Sequence, residues 1–156
     1  MSPSSPPSAM WRVMRFMKPW VLFWASRRTP LSRILLVLET TGRKSGLPRR
    51  TPLQYERIGT DYYLGSAQGS EADWVRNIRS HPAVRVGIGG VWMTARAEFL
   101  ATTEEIISFL RIRLERNPFM VRQMLRRHGV TGQPGSDDLA RVAQVIAVVR
   151  LVIDER

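Results

Sequence analysis

The chain of 156 residues is long enough for one domain around a single core, and its 44% hydrophobic content excludes a disordered polymer. It contains no cysteine, which removes disulfides, thiolate metal sites and a cysteine nucleophile together and fits a reducing cytoplasm. Its net charge of +11 concentrates anions at the surface, and nucleic acid, an anionic membrane face and a polyanionic small molecule are all candidates.

Residues 1–9, MSPSSPPSA, are rich in Ser and Pro and read as a disordered tail. Residues 10–30 form a distinct amphipathic segment, and residues 31–156 are expected to make up the folded domain. Within 10–27, Arg12, Arg15 and Lys18 recur every three residues, which at helical spacing places them on one stripe beside Trp11, Met14 and Met17. Pro19 disfavours a straight helix there. No run reaches the ~18 apolar residues that a bilayer span requires. The cations punctuate the apolar part rather than precede it, unlike a secretory signal. Two readings stay open for this segment: a helix packed on the domain, or a lid or interfacial anchor on the inner face of the cell membrane.

From Arg33 the pattern turns to β. Strands are expected at 33–41, 48–57 and 61–67, joined by the GRKSG turn and by a Gly59-Thr60-Asp61 turn, and short connections of this kind imply an antiparallel meander. A short helix over 71–80 follows, with Trp74 and Ile78 four apart on its buried face. His81-Pro82 ends it. Strands at 83–88 and 91–101 flank a Gly89-Gly90 hairpin. Thr102-Thr103-Glu104-Glu105 is a capping box that opens a helix to about Arg116. Asn117-Pro118 breaks that helix, a second runs from Phe119 to His128, and Gly129 closes it. One helical turn over 138–143 and a last strand over 144–154 complete the chain. Six strands with short hairpins and a few helices describe a mainly β, α+β fold: a small antiparallel barrel with helices outside it or at its mouth.

The stretch TTGRKSGLPRR concentrates chemistry. Four cations, Arg43, Lys44, Arg49 and Arg50, surround two glycines and Ser45 directly after an apolar strand. The turn is either a solvated hairpin tip or an anion holder. A glycine-flanked turn can expose backbone N–H groups as a nest, and charge-assisted hydrogen bonds are worth roughly 1.5–3 kcal/mol each. It joins two strands, so it is not a P-loop, which needs a helix after it. The two histidines, His81 and His128, have no spaced ligand partner and read as surface residues at helix ends.

TTGRKSGLPRRTPL after an apolar strand, then YYLGSAQG, then DWVRNIRSHPAVRVGIGG, together resemble the deazaflavin-dependent nitroreductase and quinone reductase family. The resemblance is strong over about residues 33–101 and loose elsewhere. It implies an FMN-binding-split-barrel-like fold and coenzyme F-420, a deazaflavin with a phosphodiester and an acidic glutamate tail. Carried over by position, it implies that Arg43, Lys44, Ser45, Arg49, Arg50, Thr51, Pro52, Leu53 and Gln54 meet the phosphate and ring edge. Gly65, Ser66, Ala67 and Gln68 would lie near the ring, and Asp73, Trp74, Val75, Arg76 and Asn77 would follow from the helix motif. Relatives often carry Lys or Asn where this chain has Gln68. A tyrosine cluster that lines the substrate pocket in several relatives is replaced here by NPFMVRQM, so Phe119 and Met120 would make that pocket more apolar.

The implied reaction is hydride transfer from the reduced deazaflavin to a quinone, enone or nitro-aromatic acceptor, with the protein supplying orientation and electrostatics. Backbone N–H groups near Ser66 and Ala67 would steady developing charge. No catalytic residue, general acid or metal site is assigned. An FMN-dependent barrel is the alternative cofactor reading, although one phosphate has less use for so many cations. A nucleic-acid-binding barrel is the non-enzymatic alternative, but Tyr55, Tyr62, Tyr63 and Trp92 do not alternate with cations as a stacking platform would. The sequence fits a monomer or a homodimer equally, since barrel edges must be covered by something.

Overall fold

The computed structural model describes residues 30–154. The expectations for the tail at 1–9 and for the amphipathic segment at 10–27 lie outside the described residues. After a 3-10 turn at Pro30–Arg33 come β1 (Leu35–Thr41), β2 (Pro48–Gln54), β3 (Glu56–Ile58) and β4 (Asp61–Ser66). A second 3-10 turn, Gly69–Glu71, leads into α1 (Asp73–Ser80). Strands β5 (Ala83–Ile88) and β6 (Val91–Phe99) precede α2 (Thr103–Arg116), α3 (Pro118–Arg127) and α4 (Ser136–Ala143), and β7 (Ala147–Ile153) follows.

The strands form one antiparallel sheet in the order β2-β1-β5-β6-β7-β4-β3. The second expected strand is therefore two, and the meander expected of the first three strands is corrected. Gln54 pairs with Leu35 of β1, whereas Glu56 pairs with Tyr63 of β4. The partner changes at Tyr55. Its hydroxyl donates to the Ser32 carbonyl at 3.0 Å and its ring meets Tyr62 edge-on at 5.6 Å. One continuous stretch thus supplies both ends of the sheet, which can occur only if the sheet curls round on itself as a split barrel.

Two cores result. The barrel interior holds Leu36, Leu38, Leu64, Val86 and Leu151, with Trp74, Val75 and Ile78 of α1 packed into the same cluster. The second core lies between α2, α3, α4 and the outer side of β7, where Phe109, Leu110, Leu125, Val142 and Val148 meet. β7 is buried on both faces, which explains why its sequence is nearly continuous in apolar residues. The capping box that starts α2 forms as expected: Thr102 accepts from the Glu105 N–H at 3.2 Å, and Glu105 accepts from the Thr102 N–H at 3.0 Å. Helix α4 has two turns rather than one, because Asp138 reaches back to the Gly135 N–H at 3.0 Å and starts it at Ser136. The last strand starts later than expected because Val145 and Ile146 still donate to the Val142 carbonyl. Among the described residues no helix is long and apolar enough to cross a membrane.

Candidate functional site

The basic turn and helix α1 are tied together. Asn77, almost wholly buried, accepts from the Arg43 backbone N–H and from its Nη1, both at 3.2 Å, and donates through Nδ2 to Thr40 Oγ1 at 3.1 Å. Arg43 Nη2 pairs with Asp73 at 3.1 Å. Within the turn, Gly42 and Leu47 bond at 2.8 Å, Gly46 donates to the Gly42 carbonyl at 2.8 Å, and Leu47 donates to Ser45 Oγ at 3.2 Å. Glycine is required twice, for different reasons. A Cβ on Gly42 would meet Ser45 Oγ at 2.6 Å, and Gly46 holds φ at +69°. The turn is a single helical turn closed by its i to i+4 bond. Its early N–H groups face outward as at a helix start. Arg43 gives its N–H to Asn77; among the described residues those of Lys44 and Ser45 make no hydrogen bond. The nest anticipated from the glycines is therefore partly committed to holding the turn in place.

An open groove of about 920 Å³ lies over this assembly. Arg43, Lys44, Ser45, Arg49, Arg50, Thr51, Asp73, Trp74 and Asn77 all line it. Two lining residues were missed, Glu39 and Arg85. Cross-strand register brings them together: Glu39 stands opposite Arg50 on one side and Arg85 on the other. The carboxylate bonds Arg50 at 2.7 Å and Arg85 at 3.1 Å. Burial raises the Glu39 pKa, but hydrogen bonds and charge from the two guanidiniums outweigh it and hold it below its usual value. Both guanidiniums also lie over Trp92, at 5.0 and 5.1 Å from the ring centre. Gly87, opposite Trp92, leaves room for the indole: a Cβ there would meet the ring at 3.0 Å. Lys44 and Arg49 are exposed and have no ion-pair partner among the described residues. Five cations and two carboxylates line the groove, so it keeps a positive excess.

A second concavity, about 440 Å³, continues along the same strand. Pro48–Thr51 of β2 belong to the basic groove, and Pro52–Gln54 belong to this pocket. Gly65, Ser66 and Ala67 from the end of β4 line its other wall, and Phe109, Arg113, Met120 and Met124 come from α2 and α3. Ser66 is buried and donates to the Gly69 carbonyl at 3.1 Å, which fixes the loop after β4. The strand segment and the loop that the sequence named separately thus face one cavity.

Four of the anticipated residues lie elsewhere. Val75 is wholly buried in the barrel core. Arg76 turns back to Glu71 at 2.5 Å and to the Ser70 carbonyl. Gln68 is exposed beyond the loop and lines neither cavity. Phe119 is 76% exposed and lines a separate depression with Arg122 and Arg126, while Met120 alone reaches the pocket. Adjacent residues on a helix point about 100° apart, and Val121 and Leu125 set the buried face of α3. His81 is exposed and His128 half-buried, each at the end of its helix, and no metal-ligand cluster occurs among the described residues.

Residues 25–131 match the model of the F420H(2)-dependent quinone reductase family. The chain belongs to that family. Among curated members, it is 34% identical over 65 residues to an F420H(2)-dependent quinone reductase of Mycobacterium tuberculosis (strain H37Rv) and to a putative one of Mycobacterium bovis. The match covers 40% of this chain and 44% of each relative, so the chain spans under half the length of the curated relatives it matches. Among solved structures it superimposes on an F420-H2 dependent reductase with a TM-score of 0.52 at 22% identity, covering 76% of this chain and 94% of that one. A heme storage protein from Vibrio cholerae gives 0.56 at 15% identity over 90% and 92% of the two chains. A putative pyridoxamine 5'-phosphate oxidase from Listeria innocua gives 0.53 at 14% over 78% and 84%. Likenesses this distant in sequence show the split-barrel fold of this quinone reductase family member and nothing finer.

Proposed function

We propose that this chain is a coenzyme F-420-dependent reductase whose acceptors are quinones, with enones and nitro-aromatics as further acceptors of the same hydride. The observation that carries the reading is the order of surfaces along β2. Four consecutive residues line a cationic groove and the next three line a largely apolar pocket. At ~3.3 Å per residue the two surfaces lie within one small-molecule length. A cofactor with an anionic tail and a flat, mostly apolar ring matches that order.

When bound, the reduced deazaflavin supplies a hydride to the acceptor. Lys44 and Arg49, exposed and without an ion-pair partner among the described residues, would meet the phosphate and the acidic tail together with the N–H groups of Lys44 and Ser45. Asn77 and Asp73 hold Arg43 in position beneath them. Pro52, Leu53, Gly65, Ser66 and Ala67 would border the ring. Met120, Met124 and Phe109 form the far wall, against which the acceptor would be held over the ring. Met120 and Met124 suit acceptors of varied shape, since thioether side chains repack easily.

The test is a fluorescence titration with oxidised coenzyme F-420 beside FMN, at low and moderate salt, on the wild type and on Lys44→Ala/Arg49→Ala. Salt-sensitive deazaflavin binding that weakens roughly tenfold in the double variant is expected, because the two cations carry no ion pair among the described residues. FMN binding without deazaflavin binding would overturn the cofactor assignment. Reduced coenzyme consumed on addition of menadione would then establish the quinone.

A further inference from the structure

A part-buried cluster beside the second pocket, where Glu56, Arg113 and Arg116 share a separate depression, has an uneven charge balance. Glu56 is buried at the start of β3. Two guanidiniums from α2 approach it. Arg116 takes Oε1 at 2.5 Å and also donates to the Arg57 carbonyl at 2.8 Å. Arg113 stands off, with Nε 4.0 Å from Oε2. Its side chain is only 13% exposed, yet Nε has no hydrogen-bond partner among the described residues, and its contact with Gln54 Oε1 is long at 3.4 Å. Burial lowers the Arg113 pKa and the Glu56 charge opposes that, leaving a net lowering. One carboxylate thus serves two cations and is held mainly by the wrong one for Arg113. The surplus charge belongs to a residue that lines the apolar pocket. Arg127, exposed at the end of α3, lines the same pocket.

We infer that Arg113 forms an anion subsite in this pocket, which selects acceptors whose aromatic or enone body carries a carboxylate. The inference rests on the reading of the pocket as the acceptor site. Nε is enclosed and turned toward Glu56, and the guanidinium lies over Phe109 at 5.9 Å, so the donors left for a ligand are those of Nη1 and Nη2, and a carboxylate accepts such donors in pairs. The surrounding methionines and Phe109 would cover the acceptor's apolar body, which reduces the solvent screening of the charge pair. A neutral acceptor of the same shape leaves the guanidinium as it is and gains only the apolar contact. Arg113 is in this sense a specificity-determining residue, separate from the cations of the groove.

Two non-reducible probes of one shape, 2-naphthoate and 2-naphthylmethanol, separate the terms by calorimetric titration of the full chain. Wild type is expected to bind the carboxylate about tenfold tighter than the alcohol. Arg113→Gln is expected to abolish that preference while coenzyme F-420 affinity is kept, and Arg113→Lys to retain part of it. Equal affinity of wild type for the two probes would overturn the inference whether or not the variants fold. So would an undiminished preference in a folded Arg113→Gln. Preference intact in a protein that fails to bind deazaflavin would support the subsite and overturn only the cofactor reading.

Discussion

Removing the Asn77 side chain is the sharpest probe of how the basic turn is held. Asn77→Ala deletes three hydrogen bonds, two accepted from Arg43 and one donated to Thr40. The Arg43 amide loses its partner in a half-buried place, and the buried Thr40 hydroxyl keeps only its long bond to the Arg49 carbonyl at 3.5 Å. Neutral hydrogen bonds contribute about 1 kcal/mol net and those to a charged group about 1.5–3, so a loss of roughly 3 kcal/mol is expected. For a chain of this size that corresponds to a melting point lowered by roughly 6–12 °C. The turn, released from α1, should also bind deazaflavin at least about tenfold more weakly, because its N–H groups would no longer be preorganised. Asn77→Asp keeps the Oδ1 that accepts both Arg43 bonds, and the Thr40 hydroxyl can turn from the Arg49 carbonyl to donate to the second carboxylate oxygen, so this variant should retain most of the stability. Thermal melts and fluorescence titration on both variants provide the measurement. An Asn77→Ala protein that melts within about 2 °C of wild type and keeps its cofactor affinity would refute the view that this side chain positions the turn.

Three further outcomes follow from the charges and the backbone. The Glu39 carboxyl titrates below its ordinary value of 4.5 in the folded state, so its stabilisation is complete above that pH and is lost as the pH falls through the lower folded value. Denaturant melts from pH 6 to 3 should show Glu39→Gln losing part of the acid-induced slope of wild type. Glu56→Gln strands Arg113 and Arg116 without their carboxylate and should cost about 3 kcal/mol in a urea melt, most of it recovered when Arg113 is also made Met. Gly69→Ala should cost at least about 2 kcal/mol, because Gly69 holds φ at +57° and a Cβ there would collide with the Val145 carbonyl oxygen; circular-dichroism melts would show it.

Much of the site was legible because its pieces are local in sequence. Glycines flanking Arg43-Lys44-Ser45 announced the turn, and the spacing of Trp74 and Ile78 announced the helix that packs under it. What periodicity could not show was partnership. Tyr55 looks like one more strand residue, yet the chain changes partner there, and the information lies in Ser32 and Tyr62, which are distant or on another strand. Glu39 and Arg85 are 46 residues apart and become neighbours only through register. Once β1 and β5 are paired, opposite charges facing each other would have marked them. Arg113 left a fainter trace: it follows Phe109 by four on α2 and so shares the face turned toward the pocket. Phe119 and Met120 are neighbours in sequence, but the helix separates their directions, so only Met120 lines the pocket and Phe119 lines a separate depression.

The position of β7 in the sheet has a consequence for synthesis. It lies between β6 and β4, and β4 has no other partner on that side. Roughly eighty residues separate Ser66 from Ala147, which at ribosomal rates of ~5–20 residues per second is about 4–16 s. Throughout that interval the nascent chain presents an open β4 edge and the apolar residues that β7 will cover. The barrel therefore assembles late and at once, with β7 as its keystone, and the window before β7 emerges is when the chain is most prone to pair with a neighbour instead of with itself.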